Sequence, residues 1–220
     1  MTRELELRRG AQRVVVTSLG GGIREWEGVL AGYPAGARPP KGHGQVLIPW
    51  PNRIENGRYE WDGETHQLPL NEPPYAIHGL VRTVEWDVAG ASAFEHVLEP
   101  QPGYPFRLRL RIEYGLDDGG LTVRTLAENT GDRAAPFGAG FHPYLSGAAP
   151  AGELDETRPF DGRYLSVWGD DAWKYVQLFA WHGDLAVEPM TCPPNAFATG
   201  ESVIRLEPGD VFDARWGIAP

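Results

Sequence analysis

The chain has 220 residues, enough for one domain with a sizeable core, and its 41% hydrophobic and 23% charged residues are ordinary for a folded globular protein. A net charge of −10 argues against a nucleic-acid or anionic-membrane partner, since each calls for a basic face. The single cysteine, Cys192, excludes an internal disulfide and a cysteine-based metal cluster. The N-terminus is too charged for a signal peptide and no apolar run approaches a membrane span, so the cytoplasm is the expected location.

In chain order, "RVVVTSLGGGIREWEGVLAGY" predicts a strand, a glycine turn and a second strand. "GQVLIPWPNRIENGRYEWDGETHQLPL" holds an apolar run, a proline-rich stop around Trp50, and then turns at Asn56-Gly57 and Asp62-Gly63. Asn56-Gly57 lies between alternating residues and predicts a hairpin. "TVEWDVAG" and "FEHVLEP" are further strands. "FRLRLRIEYGL" alternates apolar and polar residues at period two, which predicts one buried face and one wet face, and "LDDGGL" turns it into "LTVRTLAEN". "DAWKYVQLFAWHG", "LAVEPMT", "SVIRLEPGDVF" and "ARWGIA" complete a run of short strands. No stretch shows a sustained helical period. Twenty-eight glycines and 20 prolines are scattered as turn punctuation, and short strands at such spacing predict an all-β sandwich or barrel. No repeat, linker or charge block divides residues 1–220, so a single domain is expected.

Four segments carry side chains suited to chemistry. "GFHPY" delivers His142 from an apolar strand into a proline: it is either a core histidine with a satisfied hydrogen bond or a proton donor facing a pocket. His78 in "AIHGL" sits among apolar neighbours before a glycine, whereas His43, His66, His96 and His182 read as surface or turn residues. "LIPWPNRI" is stiffened by two prolines and presents Trp50, Asn52 and Arg53. A flat apolar face and a fork of donors suit a sugar or carboxylate, and a structural loop with a buried Trp and a surface Arg fits equally well. Glu188 follows Leu-Ala-Val and ends a buried strand, where a carboxylate is costly unless paired or functional. No G-x-S-x-G elbow, glycine-rich phosphate loop or metal-ligand spacing is visible. A His/Glu acid–base pair needs fewer assumptions than a metal site.

The segments "IPWPNRIENGRYEWDG", "LPLNEPPYAIHGLVRTVEWDV", "FGAGFHPYLS" and "AVEPMTCPPNAF…LEPGD" resemble, in the same order, those of the aldose 1-epimerase (galactose mutarotase-like) family. The resemblance spans about Leu47 to Ile218. It implies a large antiparallel β-sandwich with a sugar cleft, no metal or organic cofactor, and interconversion of the α and β anomers of a free hexose such as glucose or galactose. Carried over by position, it places the general base on Glu188 and the general acid on His142, with Arg53 and His78 holding the sugar beside Asn52 and Trp50.

One departure stands out. Only the 43 residues from Leu145 to Val187 separate Tyr144 from Glu188, a short segment for the family. The acidic residue that would bind sugar hydroxyls falls on Asp155, with Asp161 as a competitor. The shortening implies an open side to the cleft and sheet edges to be capped, for which a homodimer is one route. Two other functions compete with the mutarotase reading. A hexose-phosphate epimerase would draw on Arg53, Arg58 and Arg82. A non-catalytic carbohydrate-binding protein would tolerate loss of Glu188 or His142, both of which are present.

Overall fold

The period-two alternation of "LRLRIEY" is realised in the strand Leu108–Asp117, which buries Leu108, Leu110, Ile112 and Tyr114 and turns Arg109, Arg111 and Glu113 outward. It pairs antiparallel with Gly120–Asn129, from Asp117 opposite Gly120 back to Leu108 opposite Asn129. The computed structural model describes residues 2–219. These two long strands form the middle of a seven-stranded antiparallel sheet, flanked by Ala93–Leu98 and Val211–Ile218.

A second sheet carries the site. Its strands run in the order Asp155–Pro159, Tyr175–Trp181, Asp184–Met190, Gly140–Phe141 and Val46–Leu47. Asp184–Met190 is buried on both faces along nearly its whole length, as a strand covered on both sides must be. The two sheets pack face to face as a β-sandwich, and one hydrophobic core runs through both. Phe141 of one layer meets Trp216 of the other with ring centroids 4.9 Å apart, and Trp173 closes on the same ring at 5.7 Å. Each such side chain taken fully out of water contributes about 1.5–3 kcal/mol. The segment between Tyr144 and Glu188 supplies an edge strand to each sheet, Asp155–Pro159 to one and Arg163–Tyr164 to the other.

Several local expectations need revision. Asn56 and Gly57 both adopt positive φ, as a tight turn requires, yet the strands they join do not pair with each other. Arg53–Glu55 pairs with Tyr75–Ile77, and Arg58–Trp61 pairs with Glu64–Gln67 across the Asp62-Gly63 turn. The hairpin therefore forms one turn later. The charged N-terminal stretch Glu4–Arg9 is a strand on Gln12–Thr17, its outward Arg and Glu side chains paired with neighbours on the surface. His43 and His66, expected at the surface, are buried. Among the described residues, no helix is long and apolar enough to cross a membrane.

Candidate functional site

His142 follows directly on Gly140–Phe141, the strand wedged between Val46–Leu47 and Asp184–Met190. Pro143 cannot extend the ladder. The His142 backbone instead donates to Gln45 O at 3.1 Å and accepts from Gly44 N at 2.8 Å, which fixes where the imidazole leaves the sheet. The ring is packed closely on more than one side. Tyr144 stacks on the ring with centroids 5.1 Å apart, and the backbone of Gly42 approaches it closely. Gly42 has φ of +82°, and a Cβ placed there would come within 2.8 Å of His142 Cδ2. Tyr144 in turn stacks on His43 at 3.8 Å, so three rings form a column behind the cleft.

Glu188 lies inside the strand Asp184–Met190 and not at its end, because Pro189 and Met190 continue the ladder opposite Val176 and Tyr175. Its Oε1 is 3.4 Å from His142 Nε2. Both side chains are almost wholly removed from solvent, at 2% and 4% exposure. Glu188 Oε2 and His142 Nδ1 have no hydrogen-bond partner among the described residues. Burial pushes the Glu188 carboxyl well above the usual range, with the Asp155 carboxylate adding to the effect. Burial also drives the His142 imidazole down to about 3, helped by His43 and Arg82. Burial thus disfavours the charged form of both groups and favours a neutral pair with the proton on Glu188.

Around this pair the cleft has a volume of about 650 Å³. Gln177 stands opposite Glu188 in the neighbouring strand. Its Nε2 donates to Asp155 Oδ1 at 2.6 Å, and its Oε1 accepts from Asn52 Nδ2 at 3.3 Å and from the Thr157 hydroxyl. One amide thus ties together side chains from two neighbouring strands and the Pro-Trp-Pro loop. Asn52 and His78 both have positive φ, 52° and 63°, and His78 N donates to Asn52 O at 2.8 Å. Left-handed backbone at two non-glycine residues is a local strain that the surrounding structure must hold. His78 is buried edge-on to His142, with ring centroids 5.3 Å apart, and burial followed by His142, Arg82 and Arg53 keeps it neutral. The Arg53 guanidinium lies over the Tyr75 ring at 5.6 Å and lines the same cleft.

Residues 3–178 match the family model for aldose 1-epimerase. The chain belongs to the aldose 1-epimerase family. The match ends before Glu188, but the wider likenesses run through it. The Escherichia coli protein YihR is 30% identical over 93% of this chain and 89% of its own length. The galactose mutarotase of Rattus norvegicus is 30% identical over 57% of this chain, and the aligned stretch covers only 36% of the rat protein. The chain therefore spans well under half of that mutarotase. The fold is that of a galactose mutarotase-like protein from Clostridium acetobutylicum, with a TM-score of 0.82, 12% identity, and coverage of 99% of this chain and 97% of the other.

Within this epimerase-family cleft the structure gathers Glu188, His142, His78, Arg53, Asn52 and Asp155. Asp161 is exposed and not on the lining, and Arg58 is likewise outside it, whereas Arg82 is on it. Trp50 is a correction. It is 2% exposed, packs on Phe197 at 5.8 Å and donates its Nε1 to Ala76 O at 3.3 Å, so the indole is core and offers no face to a ligand. The same two prolines that suggested a presented aromatic turn it inward. Sequence reading missed Gln177, whose only signal is a polar residue inside the apolar run "YVQLF" at a position that proves to face Glu188. It also missed Tyr75 and Phe179, the aromatic side chains on the cleft wall.

Proposed function

We propose that this protein interconverts the α and β anomers of a free aldose by acid–base ring opening. The observation that carries the reading is the contact of Glu188 with His142 at 3.4 Å on the wall of a cleft, each with a remaining polar atom that has no partner. The hydroxyl on C1 and the ring oxygen O5 are bonded to the same carbon and lie close together. A base and an acid in hydrogen-bond reach of one another can address both at once.

In the proposed cycle the shared proton moves from Glu188 to His142 Nε2 as the sugar's polar groups take the place of bulk solvent. Glu188 then removes the proton from the C1 hydroxyl while His142 protonates O5. The C1–O5 bond breaks and the free aldehyde forms. Rotation about C1–C2 presents the other face of the carbonyl. Reclosure with the two proton roles reversed gives the opposite anomer and restores the pair. Gln177, holding Asp155 and Asn52, sets acceptors and donors for the ring hydroxyls, and Arg53 with His78, next to Asn52, completes the proposed sugar contacts. The family membership supports an isomerase of this class.

The test is polarimetry on freshly dissolved α-D-glucose and α-D-galactose, with spontaneous mutarotation subtracted. Acceleration that disappears in Glu188→Gln is the expected result. No acceleration, together with measurable sugar binding, would make this a carbohydrate-binding protein on an epimerase scaffold.

A further inference from the structure

His142 lacks the hydrogen bond that would ordinarily aim its ring. A histidine that moves protons is usually oriented through its second nitrogen. Here Nε2 faces Glu188 Oε1 at 3.4 Å, and Nδ1 has no partner among the described residues. The plane of the imidazole is therefore left to packing. The flat surface parallel to it is Tyr144, with 5.1 Å between centroids and 12° between planes.

Tyr144 is itself tethered at both ends. Its backbone lies opposite Ala186 on the strand that carries Glu188, and its hydroxyl donates to Lys41 O at 3.0 Å. Both tethers lie on the axis about which a tyrosine ring turns, so neither sets the tilt of the ring. A contact on the ring's face can set it, and His43 supplies one, with centroids 3.8 Å apart and planes 8° apart. His43 is secured in turn. Its Nδ1 donates to Pro40 O, which also accepts from the His43 backbone at 2.9 Å, and Trp181 meets the ring edge-on at 5.4 Å. Both His43 and Tyr144 are buried, and neither is on the cleft lining, so neither meets a bound sugar.

We propose that His43 is a positioning residue for His142. Stacked on Tyr144, it fixes the tilt of that ring, and through it the plane in which His142 Nε2 meets the ring oxygen of the sugar. This rests on the reading of His142 as the acid of an aldose site. His43 acts as a flat face and not as a charge. Burial lowers its imidazole below the ordinary value, against the pull of the Pro40 carbonyl and Asp184, so at neutral pH and above it is uncharged. A positive charge there would oppose the proton that His142 has to take up.

Two substitutions separate the face from the hydrogen bond. His43→Phe keeps a flat ring and loses the donor, and Pro40 O still accepts from the backbone N–H at that position. His43→Asn keeps a donor and loses the ring. Proton NMR exchange spectroscopy on glucose and galactose at anomeric equilibrium, corrected for the spontaneous rate, gives kcat and KM for each. In His43→Asn, kcat is expected to fall by about tenfold or more with KM changed by less than about threefold, and in His43→Phe kcat should stay within about threefold of the wild type. Should His43→Asn fail to fold, His43→Leu, which fills the space without a flat face, takes its place with the same expectation. A merely structural hold on the Pro40–Gly42 turn predicts the reverse order, with His43→Asn active and His43→Phe impaired. That order, an equal loss in both, a loss confined to KM, or no loss in either would overturn the proposal and leave the aldose reading standing. If the wild type turns over neither sugar, the aldose reading falls, and the ring protons of His142 decide the positioning role alone, because they sit in the ring current of the stacked Tyr144. Identified by their loss in His142→Asn, their signals should move in His43→Asn and return to the wild-type position in His43→Phe. Signals that stay in place in His43→Asn, or move as far in His43→Phe, would remove that role as well.

Discussion

Glu188 Oε2, His142 Nδ1 and His78 Nδ1 are buried polar atoms with no hydrogen-bond partner among the described residues. Each such atom costs about 1–3 kcal/mol, and all three belong to side chains lining one cleft, which is where a ligand's hydroxyls would repay the loss. On the proposed reading, Glu188→Gln keeps the shape of the site and removes its base, so kcat/KM should fall by about 10²–10⁴-fold with sugar affinity little changed. Calorimetric titration alongside NMR exchange rates checks both halves. Gly42→Ala is a finer probe of geometry. Its Cβ would press on His142 Cδ2 at 2.8 Å from backbone already in the left-handed region, so the imidazole must shift. A drop in kcat of about tenfold or more, with a smaller change in KM, is expected, because a displaced acid is felt mainly in the transition state. Trp50→Phe separates core from cleft. It should lower stability by about 1–3 kcal/mol in denaturant titration, through lost indole packing and an unpaired Ala76 carbonyl, and leave sugar affinity where it was.

At the scale of elements, the cleft is a product of register. Gln177 faces Glu188 only because Tyr175–Trp181 pairs with Asp184–Met190 so that Tyr175 meets Met190 and Trp181 meets Asp184. A shift of one residue would send Gln177 and Glu188 to opposite faces. Gln177→Leu keeps the volume and removes the amide that holds Asp155 and Asn52. Steady-state kinetics should show KM rising on the order of tenfold, the size expected for lost hydrogen bonds to a charged group, while kcat changes less. The same dependence on register explains what could be read from the chain. Leu108–Asp117 was legible because a half-buried strand writes its face into its own alternation. Asp184–Met190, buried on both faces, carries no alternation, so Glu188 read as a strand end. Asn56-Gly57 gave the right local turn and the wrong pairing, since the partner of Arg53–Glu55 lies some twenty residues on at Tyr75–Ile77. His142, His78, Arg53 and Asn52 stood out through unusual neighbours or a family motif. Gln177, and the burial of His43 against Tyr144, depend on distant segments meeting and left no local mark.

For the molecule as a whole, the buried pair makes stability depend on pH in a way that can be worked out. Consider His142 and Glu188 alone. Unfolded, they titrate near 6.5 and 4.5; folded, the first is lowered to about 3 and the second is raised well above 4.5. Between pH 4.5 and 6.5 the unfolded chain carries one proton on His142 and the folded chain one on Glu188. Proton uptake is then equal, and the pair contributes no slope. Below 4.5 the unfolded chain binds two protons and the folded chain one, so stability falls as the pH falls. Above 6.5 the unfolded chain binds none, and for as long as Glu188 keeps its proton in the folded chain stability falls as the pH rises. Either limb is worth up to about 1.4 kcal/mol per pH unit. Other ionisable groups add their own terms, so each limb is best isolated as a difference between variants. Glu188→Gln should gain on the wild type progressively as the pH rises above 4.5, and His142→Asn should gain on it progressively as the pH falls below 6.5. Denaturant titrations of the three proteins from pH 4 to pH 9 measure both differences. With His142 lowered as above, a Glu188→Gln difference that stayed flat from pH 5 to pH 9 would mean that the folded pair holds no proton, Glu188 being ionised and His142 neutral. The proposed cycle, which needs one proton on the pair, would then lack its acid.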